Sequence, residues 1–589
     1  MLKRFLPILF ILIASYVAAS HLLKTDLYFP IHDDTQTARV FTMAKSLADG
    51  MIPVRWVSDL GYGYGYPIYN FYAPLAYYFG GLLVIGGLSV LTATKAMMLV
   101  GVLVSGISMY LLARQFWGVF GGMIAAVLYM YAPYHGVNIY VRGAVSEYWA
   151  YGILPLTVLG FYMLFKSLQE DEANHENSKL KIQNAKLQFK NKKVWTWIII
   201  SAISLAAVIL SHNLTAMMIS PFLIALLGVF SYILITKQKL YAIRYLLYAF
   251  FLGLALSAFY WIPALFEMRY TNVASQIGGG AAFGDHFVCI KQLWDSPMGY
   301  GGSTPTCTDG LSYKIGKIHI LFVLLSLFSL FFLRKQREKK IVVAISLAVA
   351  TIGVFMMLSP SLPLWNLSSF TAYFQYPWRF LAIVLFAITL MSGSFISLLE
   401  QIISPQHKQP ILALVVFLVT GIVIATNAEF FTPRTMSKVA SSEYTTSQAV
   451  QWEASKISDE YLPPYFSKPD TSQDLPKQRF VLSMGEGIIM PGSKKTQSYF
   501  ATVLAKSPVT VHVNIAYFPA WKAFVDGKES VYKVVSSGMQ LTLPAEDHTI
   551  AFKFVQTPLQ KFSNLLSIAG LVFIVLGIIT VRKRSASTV

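Results

Sequence analysis

The chain has 589 residues, of which 55% are hydrophobic and only 13% are charged, and its net charge is +19. Because a soluble domain carries about 25% charged residues, this composition excludes a soluble enzyme, a disordered protein and a small disulfide scaffold, and it favours a polytopic membrane protein. In such a protein the excess of Lys and Arg indicates topology first, since these residues collect in cytoplasmic loops, and anionic ligands only second. No nucleic-acid-binding motif accompanies the charge, so we expect no nucleic-acid partner.

Twelve apolar segments approach the length of roughly 17 to 25 residues that a helix needs to cross a bilayer. A further stretch, 71–91, is broken by Pro74 and by two Gly-Gly pairs. We expect it to re-enter the membrane or to lie in the interface, because a thirteenth crossing would put the basic loops on opposite sides. The sequence therefore predicts an α-helical polytopic protein of about 12 to 13 transmembrane helices, with spans near 5–23, 96–113, 118–133, 148–166, 194–210, 214–235, 245–262, 318–333, 341–358, 379–399, 410–427 and 563–581.

The basic residues between these segments predict the orientation of the chain. If the chain crosses the membrane twelve times, every basic cluster falls on the same side of it. We assign this side, and both termini with it, to the cytoplasm. The start of the chain, 1–20, also has the features of a signal peptide, but we expect it to be retained as the helix that orients the protein. The basic positions are Lys3, Arg4, Arg114, the stretch 166–193, Lys237, Lys239, Arg244, the stretch 334–340 and the stretch 582–584.

This topology puts the loops 24–95, 263–317 and 359–378 outside, within a membrane domain that we assign to 1–427. The segment 428–562 is also outside, and there Val509, Val511 and Val513 alternate with polar residues as in a half-buried strand. Asp526-Gly527 is a hairpin turn signal. We therefore predict a C-terminal extracytoplasmic β-sandwich domain over 428–562, followed by a last transmembrane helix and a basic cytoplasmic tail over 563–589. On the cytoplasmic side, 170–193 is predicted to be a solvated or headgroup-lying helix.

The two cysteines of the chain, Cys289 and Cys307, are too few for a zinc site. They lie in the same predicted outer loop, in a compartment that permits disulfides. We predict that they are bonded to each other.

The first candidate for chemistry is His32-Asp33-Asp34, just after the first helix. Two adjacent carboxylates beside a membrane are costly to desolvate without a partner. A divalent cation, a cationic side chain or a substrate proton could supply that partner, but a solvated loop or an ordinary helix start explains the doublet equally well. The Gly- and Tyr-rich loop 61–72 is similarly ambiguous, since its rings suit either the stacking of a sugar or the membrane interface.

Further candidates lie at predicted helix ends and short turns on the outer side: Arg142, Glu147, His212, Tyr376 and Arg379. Each alone could simply reach the headgroup zone. The charge-derived topology, which uses none of these residues, nevertheless places the charged ones on the same face as the Asp33-Asp34 pair. Arginine suits a phosphate, and a carboxylate can take a proton or hold a metal. Together they indicate a site for a phosphate-bearing substrate and a hydroxyl that needs activation.

At these residues the sequence resembles the GT-C superfamily of integral membrane glycosyltransferases. A closer likeness, over nearly the whole chain, is to bacterial membrane proteins labelled "6-pyruvoyl-tetrahydropterin synthase-related", although the His triad of a soluble pterin synthase is not visible and we expect no pterin chemistry. The matching motifs are His32-Asp33-Asp34, Gly65-Tyr66-Pro67, Phe71-Tyr72-Ala73-Pro74-Leu75, Arg142-Gly143 with Glu147, Ser211-His212-Asn213, Tyr376-Pro377-Trp378-Arg379-Phe380, Tyr517-Phe518-Pro519-Ala520-Trp521 and Val525-Asp526-Gly527.

The resemblance implies a GT-C-like fold, whose first outer loop bears an acidic motif at the active site and whose donor is a polyprenyl-phosphate-linked sugar. Carried over to this chain, Asp33 or Asp34 is the general base or a ligand of Mg²⁺ or Mn²⁺, and Asp33 is favoured because it directly follows His32. Glu147 joins them as a catalytic candidate. From their side of the membrane and their chemistry, we assign the binding of substrate and phosphate to His32, Arg142, His212, Tyr376 and Arg379.

Three functions are open to a protein with these features. The leading one is an enzyme of the bacterial cytoplasmic membrane that transfers a sugar from the lipid carrier to a glycan, lipid or protein acceptor at the outer face. The second is a transporter or flippase for a lipid-linked saccharide, although most predicted spans lack the ionisable residues at their centres that transport favours. The third is a noncatalytic assembly factor that binds a cell-envelope polymer through the β-sandwich.

Overall fold

The computed structural model describes residues 2–170, 192–278, 281–333 and 336–586. The predicted cytoplasmic helix over 170–193 therefore falls almost wholly outside the described residues. The longer described helices are α1 (Leu2–Ala18), α2 (Gln36–Ala48), α3 (Leu75–Ile85), α4 (Val90–Met130), α5 (Val145–Glu170), α6 (Lys192–Ser211), α7 (Asn213–Thr236), α8 (Ile243–Leu256), α9 (Ala258–Phe266), α10 (Lys317–Ser329), α11 (Arg337–Met357), α12 (Leu381–Ser392), α13 (Ser394–Ile402), α14 (Lys408–Asn427) and α15 (Pro558–Ala586).

Eight of the described helices are long and apolar enough to cross a membrane, and the bent pair Leu240–Leu256 and Ala258–Phe266 makes a ninth if it is one span. This number is lower than the twelve predicted, for two reasons. Two predicted spans, 96–113 and 118–133, are counted as one because they belong to α4, whose two helical parts join at a kink at Gly118, where φ is 68°. Two others, Leu6–Ala18 and Lys317–Ser329, are apolar helices shorter than a usual span. The prediction of a multi-pass helical membrane protein is confirmed.

The stretch 71–91, whose path the sequence leaves open, contains the 11-residue helix α3. At about 1.5 Å per residue this helix is roughly 16 Å long, about half the thickness of a hydrocarbon core, so it is too short to cross. Glycines let it lie tightly against α2, since a Cβ on Gly80 would stand 2.8 Å from Val40 Cγ2 and one on Gly81 would stand 2.8 Å from Met43 Cγ. The stretch therefore holds a short helix packed on the protein, as expected for a segment that does not cross.

Residues in the predicted cytoplasmic loops, or within one helical turn or so of them, meet at one end of the helix bundle. The Tyr162 hydroxyl of α5 donates to Glu338 Oε1 of α11 at 2.5 Å. Nearby, Lys239 Nζ donates to the carbonyl oxygen of Gln169 at 2.7 Å. The packing of the helices thus brings together loops that the charge pattern assigns to one side.

The C-terminal part of the chain is rich in strands. After the short strands β1 (Leu27–Tyr28) and β2 (Ser437–Lys438), the chain forms β3 (Phe480–Met484), β4 (Gly487–Lys495), β5 (Ser498–Ala505), β6 (Val509–Val513), β7 (Trp521–Val525), β8 (Lys528–Ser530), β9 (Lys533–Val535), β10 (Gly538–Leu543) and β11 (Asp547–Phe554). One antiparallel sheet has the order β3-β6-β10-β9, and the other has the order β4-β5-β11-β7-β8.

The two sheets pack face to face as the alternating pattern predicts. Along β6, Val509, Val511 and Val513 are at most 1% exposed, and between the sheets the rings of Phe480 and Phe552 lie 6.1 Å apart. The β7–β8 hairpin turns at Asp526-Gly527, where both φ angles are positive, 48° and 81°, as two-residue hairpins with an Asp-Gly pair require. The prediction of a C-terminal β-sandwich is confirmed.

The strands of the sandwich begin only at Phe480, and the segment before them packs on the first predicted outer loop. Strand β2 pairs with β1, the Tyr62 hydroxyl donates to Asp459 Oδ2 at 3.0 Å, and the Tyr66 hydroxyl donates to the Ser458 carbonyl at 2.8 Å. Both tyrosines are at most 4% exposed. This part of the Gly- and Tyr-rich loop is therefore neither a stacking surface for a sugar nor a membrane belt, but an internal contact that fixes the segment around Ser458.

Candidate active site

A cavity of about 350 Å³ lies where the first predicted outer loop, the beginnings of three long helices and the segment 457–461 come together. The helices are α5, α7 and α12, the last preceded by the turn Pro377–Phe380. Six of the eight residues that the sequence assigned to the site line this cavity, whereas His32 and Asp34 do not. The six are Asp33, Arg142, Glu147, His212, Tyr376 and Arg379.

The acidic loop is fixed to the chain just before α5. The backbone N–H of His32 donates to the Val141 carbonyl at 2.8 Å, and that of Asp33 donates to the Arg142 carbonyl at 3.2 Å. The next residue, Gly143, has φ of 65°, and a Cβ there would stand 2.3 Å from Ile31 Cδ1. A glycine is needed at this point because the left-handed backbone and the close approach of Ile31 both disfavour a side chain.

One carboxylate lies between two guanidinium groups at the base of the cavity. Glu147 Oε2 is 2.9 Å from Arg142 Nη2 and 3.6 Å from Arg379 Nε, and the Glu147 side chain is only 3% exposed. Tyr134 donates a hydrogen bond to the other carboxylate oxygen. Two positive charges facing one negative charge leave a surplus that suits an anion. The arrangement favours a positioning role for Glu147 over the catalytic role expected from the sequence.

The two arginines are held in place by further contacts. Arg379 Nη1 donates to the Phe374 carbonyl at 2.7 Å and to Gln375 Oε1 at 3.0 Å. The Arg142 guanidinium lies 4.6 Å from the centre of the Trp378 ring. Fixed guanidinium groups lose less conformational entropy when they bind a ligand.

His212 caps the N-terminus of α7 and also lines the cavity. Its Nδ1 accepts from the backbone N–H of Thr215 at 3.2 Å and lies 2.7 Å from the Thr215 hydroxyl. Because Nδ1 acts as an acceptor, the proton of the neutral ring is on Nε2. His212 can therefore offer one N–H donor to a ligand.

Asp33 is ionised and oriented by its neighbours. Its Oδ1 is 3.0 Å from His32 Nδ1, and the two side chains are 48% and 56% exposed, respectively. Burial alone would raise the pKa of Asp33, but the hydrogen bond from His32 and the positive charges of Arg142 and Arg39 hold it below its ordinary value. The same hydrogen bond raises the pKa of His32. His32 thus acts on the site through Asp33, without lining the cavity itself.

Asp34 differs from Asp33 although the two are adjacent. Its Oδ1 is buried without a hydrogen-bond partner among the described residues, and burial raises its pKa to about 6. The doublet therefore does not present two carboxylates to the cavity. In the part of the chain that the structure describes, no group of three or more His, Cys, Asp or Glu side chains is arranged to hold a metal ion. The binding of Mg²⁺ or Mn²⁺ stays a prediction from the sequence, and we derive no step through a metal.

Two charged residues that the sequence did not assign to the site, Arg39 and Glu460, complete the cavity. Arg39 Nη2 donates to Ser458 Oγ at 3.1 Å, and that hydroxyl donates to Glu460 Oε1 at 3.1 Å. The Arg39 guanidinium stacks 4.0 Å from the Tyr72 ring. Burial raises the pKa of Glu460, against the opposing charge of Arg39. Because Ser458 is 419 positions from Arg39 in the chain, no local motif could have revealed the pair.

A second, apolar cavity of about 480 Å³ is lined by α5, α7, α11 and α12. Three of these helices also reach the polar cavity at their N-terminal ends. The first residues of α5 and α7 line it, and α12 begins just after Arg379, which lines it too. Phe222, Leu226 and Phe386 are typical of its walls, and Lys166 and Glu338 lie at its far end. The same helices therefore lead from a charged cavity to a space suited to a hydrocarbon chain.

Cys289 and Cys307 form a disulfide, with Cα atoms 5.6 Å apart. The loop that they close is connected to the site through Ser303. The hydroxyl of Ser303 accepts a hydrogen bond from Trp378 Nε1 at 2.9 Å, and Trp378 stacks against Arg142.

No protein-family model and no curated protein sequence matches this chain. Among solved structures, it is similar to the archaeal oligosaccharyltransferase AglB from Archaeoglobus fulgidus, in complex with an inhibitory peptide and a dolichol-phosphate, with 12% identity and a TM-score of 0.46 over 81% of this chain and 61% of that one. It is also similar to ArnT from Cupriavidus metallidurans bound to undecaprenyl phosphate, with 13% identity and a TM-score of 0.33 over 72% of this chain and 63% of that one.

The chain thus spans about three fifths of the length of both structures. Both TM-scores are below 0.5, so we infer nothing about activity from them. Neither likeness supports the label "6-pyruvoyl-tetrahydropterin synthase-related", which we do not carry further. The fold and the site define a multi-pass helical membrane protein with a C-terminal β-sandwich and a charged cavity.

Proposed function

We propose that this protein is a membrane glycosyltransferase, which moves a sugar from a polyprenyl-phosphate-linked donor to an acceptor at the outer face of the cytoplasmic membrane. The observation that carries the proposal is the composition of one cavity. It combines Asp33, a carboxylate kept ionised, with Arg142 and Arg379, two arginines that share a single counter-charge. Transfer from a lipid phosphate needs both a proton acceptor and a site for the departing phosphate.

The arginine pair is suited to the phosphate of the donor. When the bond between the sugar and the phosphate oxygen breaks, negative charge grows on that oxygen. Arg142 and Arg379 carry one more positive charge than Glu147 neutralises, and they can donate hydrogen bonds to the departing phosphate as this charge develops. The Nε2–H of His212 provides a further donor on the same side.

Asp33 is suited to the acceptor. As the acceptor oxygen bonds to the anomeric carbon, its proton passes to the Asp33 carboxylate, and the electron pair of the breaking bond leaves with the phosphate. His32 holds Oδ1 of Asp33 at 3.0 Å and so fixes its orientation. Glu460 and Arg39 line the same cavity beside the ring of Tyr72, an arrangement that suits the hydroxyl groups and the face of a sugar.

The apolar cavity gives the proposal a place for the lipid chain. A polyprenyl tail cannot leave the bilayer, so a donor whose phosphate lies at Arg142 and Arg379 must keep its hydrocarbon among apolar helices. The walls formed by α5, α7 and α12 provide such surfaces next to the charged cavity. A soluble sugar nucleotide would make no use of them.

The test measures release of polyprenyl phosphate by the purified full-length protein from radiolabelled lipid-linked sugars. We expect release by the wild type and loss of release in Arg379→Gln. Arg434→Gln, which removes an exposed arginine outside the cavity, should retain activity. If proteoliposomes instead move intact lipid-linked saccharide across the bilayer without release of polyprenyl phosphate, the protein is a transporter and the transferase proposal is wrong.

A further inference from the structure

A third cavity, of about 340 Å³, shares no lining residue with the candidate active site. It lies where the end of α2, the Gly- and Tyr-rich loop and the strands β4 and β5 meet. Five basic and two acidic side chains line it, a surplus of three positive charges. The charged residues are Lys45, Asp49, Asp59, Lys477, Arg479, Lys494 and Lys495.

Both acidic residues are already engaged. The Asp59 carboxylate oxygens accept from Lys45 Nζ at 2.6 and 2.9 Å. Asp49 Oδ2 accepts from the backbone N–H and the hydroxyl of Thr496 at 2.6 and 2.7 Å. Asp59 is thus paired with Lys45, whereas Asp49 is held by neutral donors and keeps its negative charge, so the four other basic side chains still leave a surplus of three positive charges.

Arg479 is held by neutral partners only. Its guanidinium donates to the carbonyl oxygens of Gly63, Ser58 and Asn514 at 2.5, 2.7 and 2.8 Å. Over the described ranges, no Asp or Glu oxygen forms an ion pair with Arg479, and the same holds for Lys477, Lys494 and Lys495. Carbonyl oxygens fix the geometry of a guanidinium group but leave its charge uncompensated, and such a charge attracts an anion.

The local strand geometry gives this cavity its shape. The pairing of β4 with β5 shifts register between Pro491 and Lys494, and such a bulge redirects the side chains around it. Tyr499 is only 4% exposed and its ring, 4.9 Å from the Arg479 guanidinium, supports that group, whereas Phe500, which also lines the cavity, is 37% exposed. Aromatic faces beside cations are surfaces on which a sugar ring can pack.

We propose that this cavity binds an anionic saccharide unit, whose carboxylate or phosphate group is held by Lys477, Lys494 and Lys495 above Arg479. The volume of the cavity falls within the range of about 300 to 1,000 Å³ that is typical of small-molecule sites, so a single sugar residue fits better than the surface of a folded protein. The site does not depend on the proposed transferase activity, since it has its own walls and its own charges. It would let the β-sandwich hold an acidic envelope glycan.

Isothermal titration of the full-length protein in detergent tests the proposal with five probes, which are D-glucuronate, glucose 6-phosphate, neutral D-glucose, inorganic phosphate and a polyglutamate peptide. We expect saturable binding of both anionic sugars, weakened by added salt, and binding of glucose and of phosphate at least about tenfold weaker. The triple variant Lys477→Gln, Lys494→Gln, Lys495→Gln should lose about tenfold in affinity for the anionic sugars.

The matched control is the triple variant Lys506→Gln, Lys528→Gln, Lys533→Gln, which removes three exposed lysines of the same domain outside the cavity. It should bind like the wild type. An equal loss in both triple variants, or no saturable binding by the wild type, overturns the proposal. Equally tight binding of inorganic phosphate, or tighter binding of a polyglutamate peptide that the first triple variant abolishes, overturns the saccharide assignment in favour of a plain anion site or an acidic peptide.

Discussion

The substitution Asp33→Asn separates the chemistry of the candidate site from its folding. It keeps the size of the side chain and removes its charge and its ability to take a proton. The Asp33 side chain is 48% exposed and its hydrogen-bond partner His32 is 56% exposed, so little packing is lost. We expect a change of less than about 1 kcal/mol in the free energy of unfolding, as is usual for exposed sites.

The effect on turnover should be much larger. A positioned acid or base contributes about 10² to 10⁴ in rate, which at about 1.36 kcal/mol per tenfold corresponds to roughly 3 to 5 kcal/mol of transition-state stabilisation. Asp33→Asn should therefore lower turnover by at least about 10²-fold. Asp34→Asn is the control, because Asp34 does not line the cavity and its loss should have a smaller effect.

The pH profile of the wild type distinguishes the two aspartates independently. The pKa of Asp33 is held below its ordinary value of 3.8, so this carboxylate stays ionised as the pH falls, and kcat/KM should be flat down to about pH 5. The pKa of Asp34 is raised to about 6. If Asp34 were the base, kcat/KM would fall by half near that pH and continue to fall below it.

Two results would refute the assignment of the base role to Asp33. One is a folded Asp33→Asn protein with normal turnover, which would pass the role to Asp34 or Glu147. The other is a wild-type kcat/KM that falls through pH 6 and loses this dependence in Asp34→Asn. Normal activity in the Asn or Gln variants of all three carboxylates would favour transport or assembly over sugar transfer.

Three further predictions follow from the geometry, and a fourth follows from the charge pattern of the sequence. Glu147→Gln leaves two buried guanidinium groups without their shared carboxylate. It should therefore lower the free energy of unfolding, measured by denaturation in detergent, by about 3 to 5 kcal/mol. A stable but inactive variant would support a catalytic role for Glu147 instead. Gly143→Ala should lower activity at least about tenfold, because its Cβ would meet Ile31 at 2.3 Å, whereas Gly50→Ala, where φ is also positive (86°) but nothing lies within 4 Å, should not. Without reduction, mass spectrometry should find Cys289 and Cys307 unalkylated; alkylation of both would contradict the disulfide. A single cysteine at position 180 should react with an impermeant reagent only from the cytoplasmic side, and labelling from outside would overturn the topology.

The periodic features of the fold are the ones that the sequence predicts well. Each long apolar run forms a helix, and the alternation at Val509, Val511 and Val513 marks the buried face of β6. Such patterns record burial directly, since water is excluded from one face or from the whole circumference. The number of spans differs from the prediction because hydropathy does not show that two helical parts join at a kink at Gly118, or that α10 is short.

The role of an aromatic side chain is hard to predict from the sequence, for a physical reason. Tyr62 and Tyr66 have an apolar ring and a polar hydroxyl, which suits a membrane interface, a sugar site and a protein interior with hydrogen-bond acceptors alike. Only the fold reveals that Asp459 and the Ser458 carbonyl supply those acceptors. The partners are nearly four hundred positions away in the chain, so the local sequence carries no signal for them.

The candidate site likewise contains residues that the sequence could group and details that it could not predict. Arg142, Glu147 and Arg379 could be grouped from the sequence because the bilayer restricts charged residues to helix ends, and topology then assigns those ends to a common side. The sequence favours Asp33 over Asp34 only because Asp33 follows His32. It does not show which carboxylate faces the cavity, because that direction depends on the contacts of the turn with Val141 and Arg142.

A pKa held low in the free protein limits Asp33 as a base, since a weakly basic carboxylate has little tendency to take a proton. The charges that hold it low include those of Arg142 and Arg39, and Arg142 is a residue that we assign to the donor phosphate. A phosphate bound there offsets the positive charge near Asp33 and raises its pKa toward the value that proton transfer requires. In this account the bound donor raises the pKa of Asp33, so the carboxylate becomes an effective base only when there is a sugar to transfer. The pKa of Asp33 is then higher in the enzyme–donor complex than in the free enzyme. The acid limb of kcat should therefore lie at higher pH than that of kcat/KM.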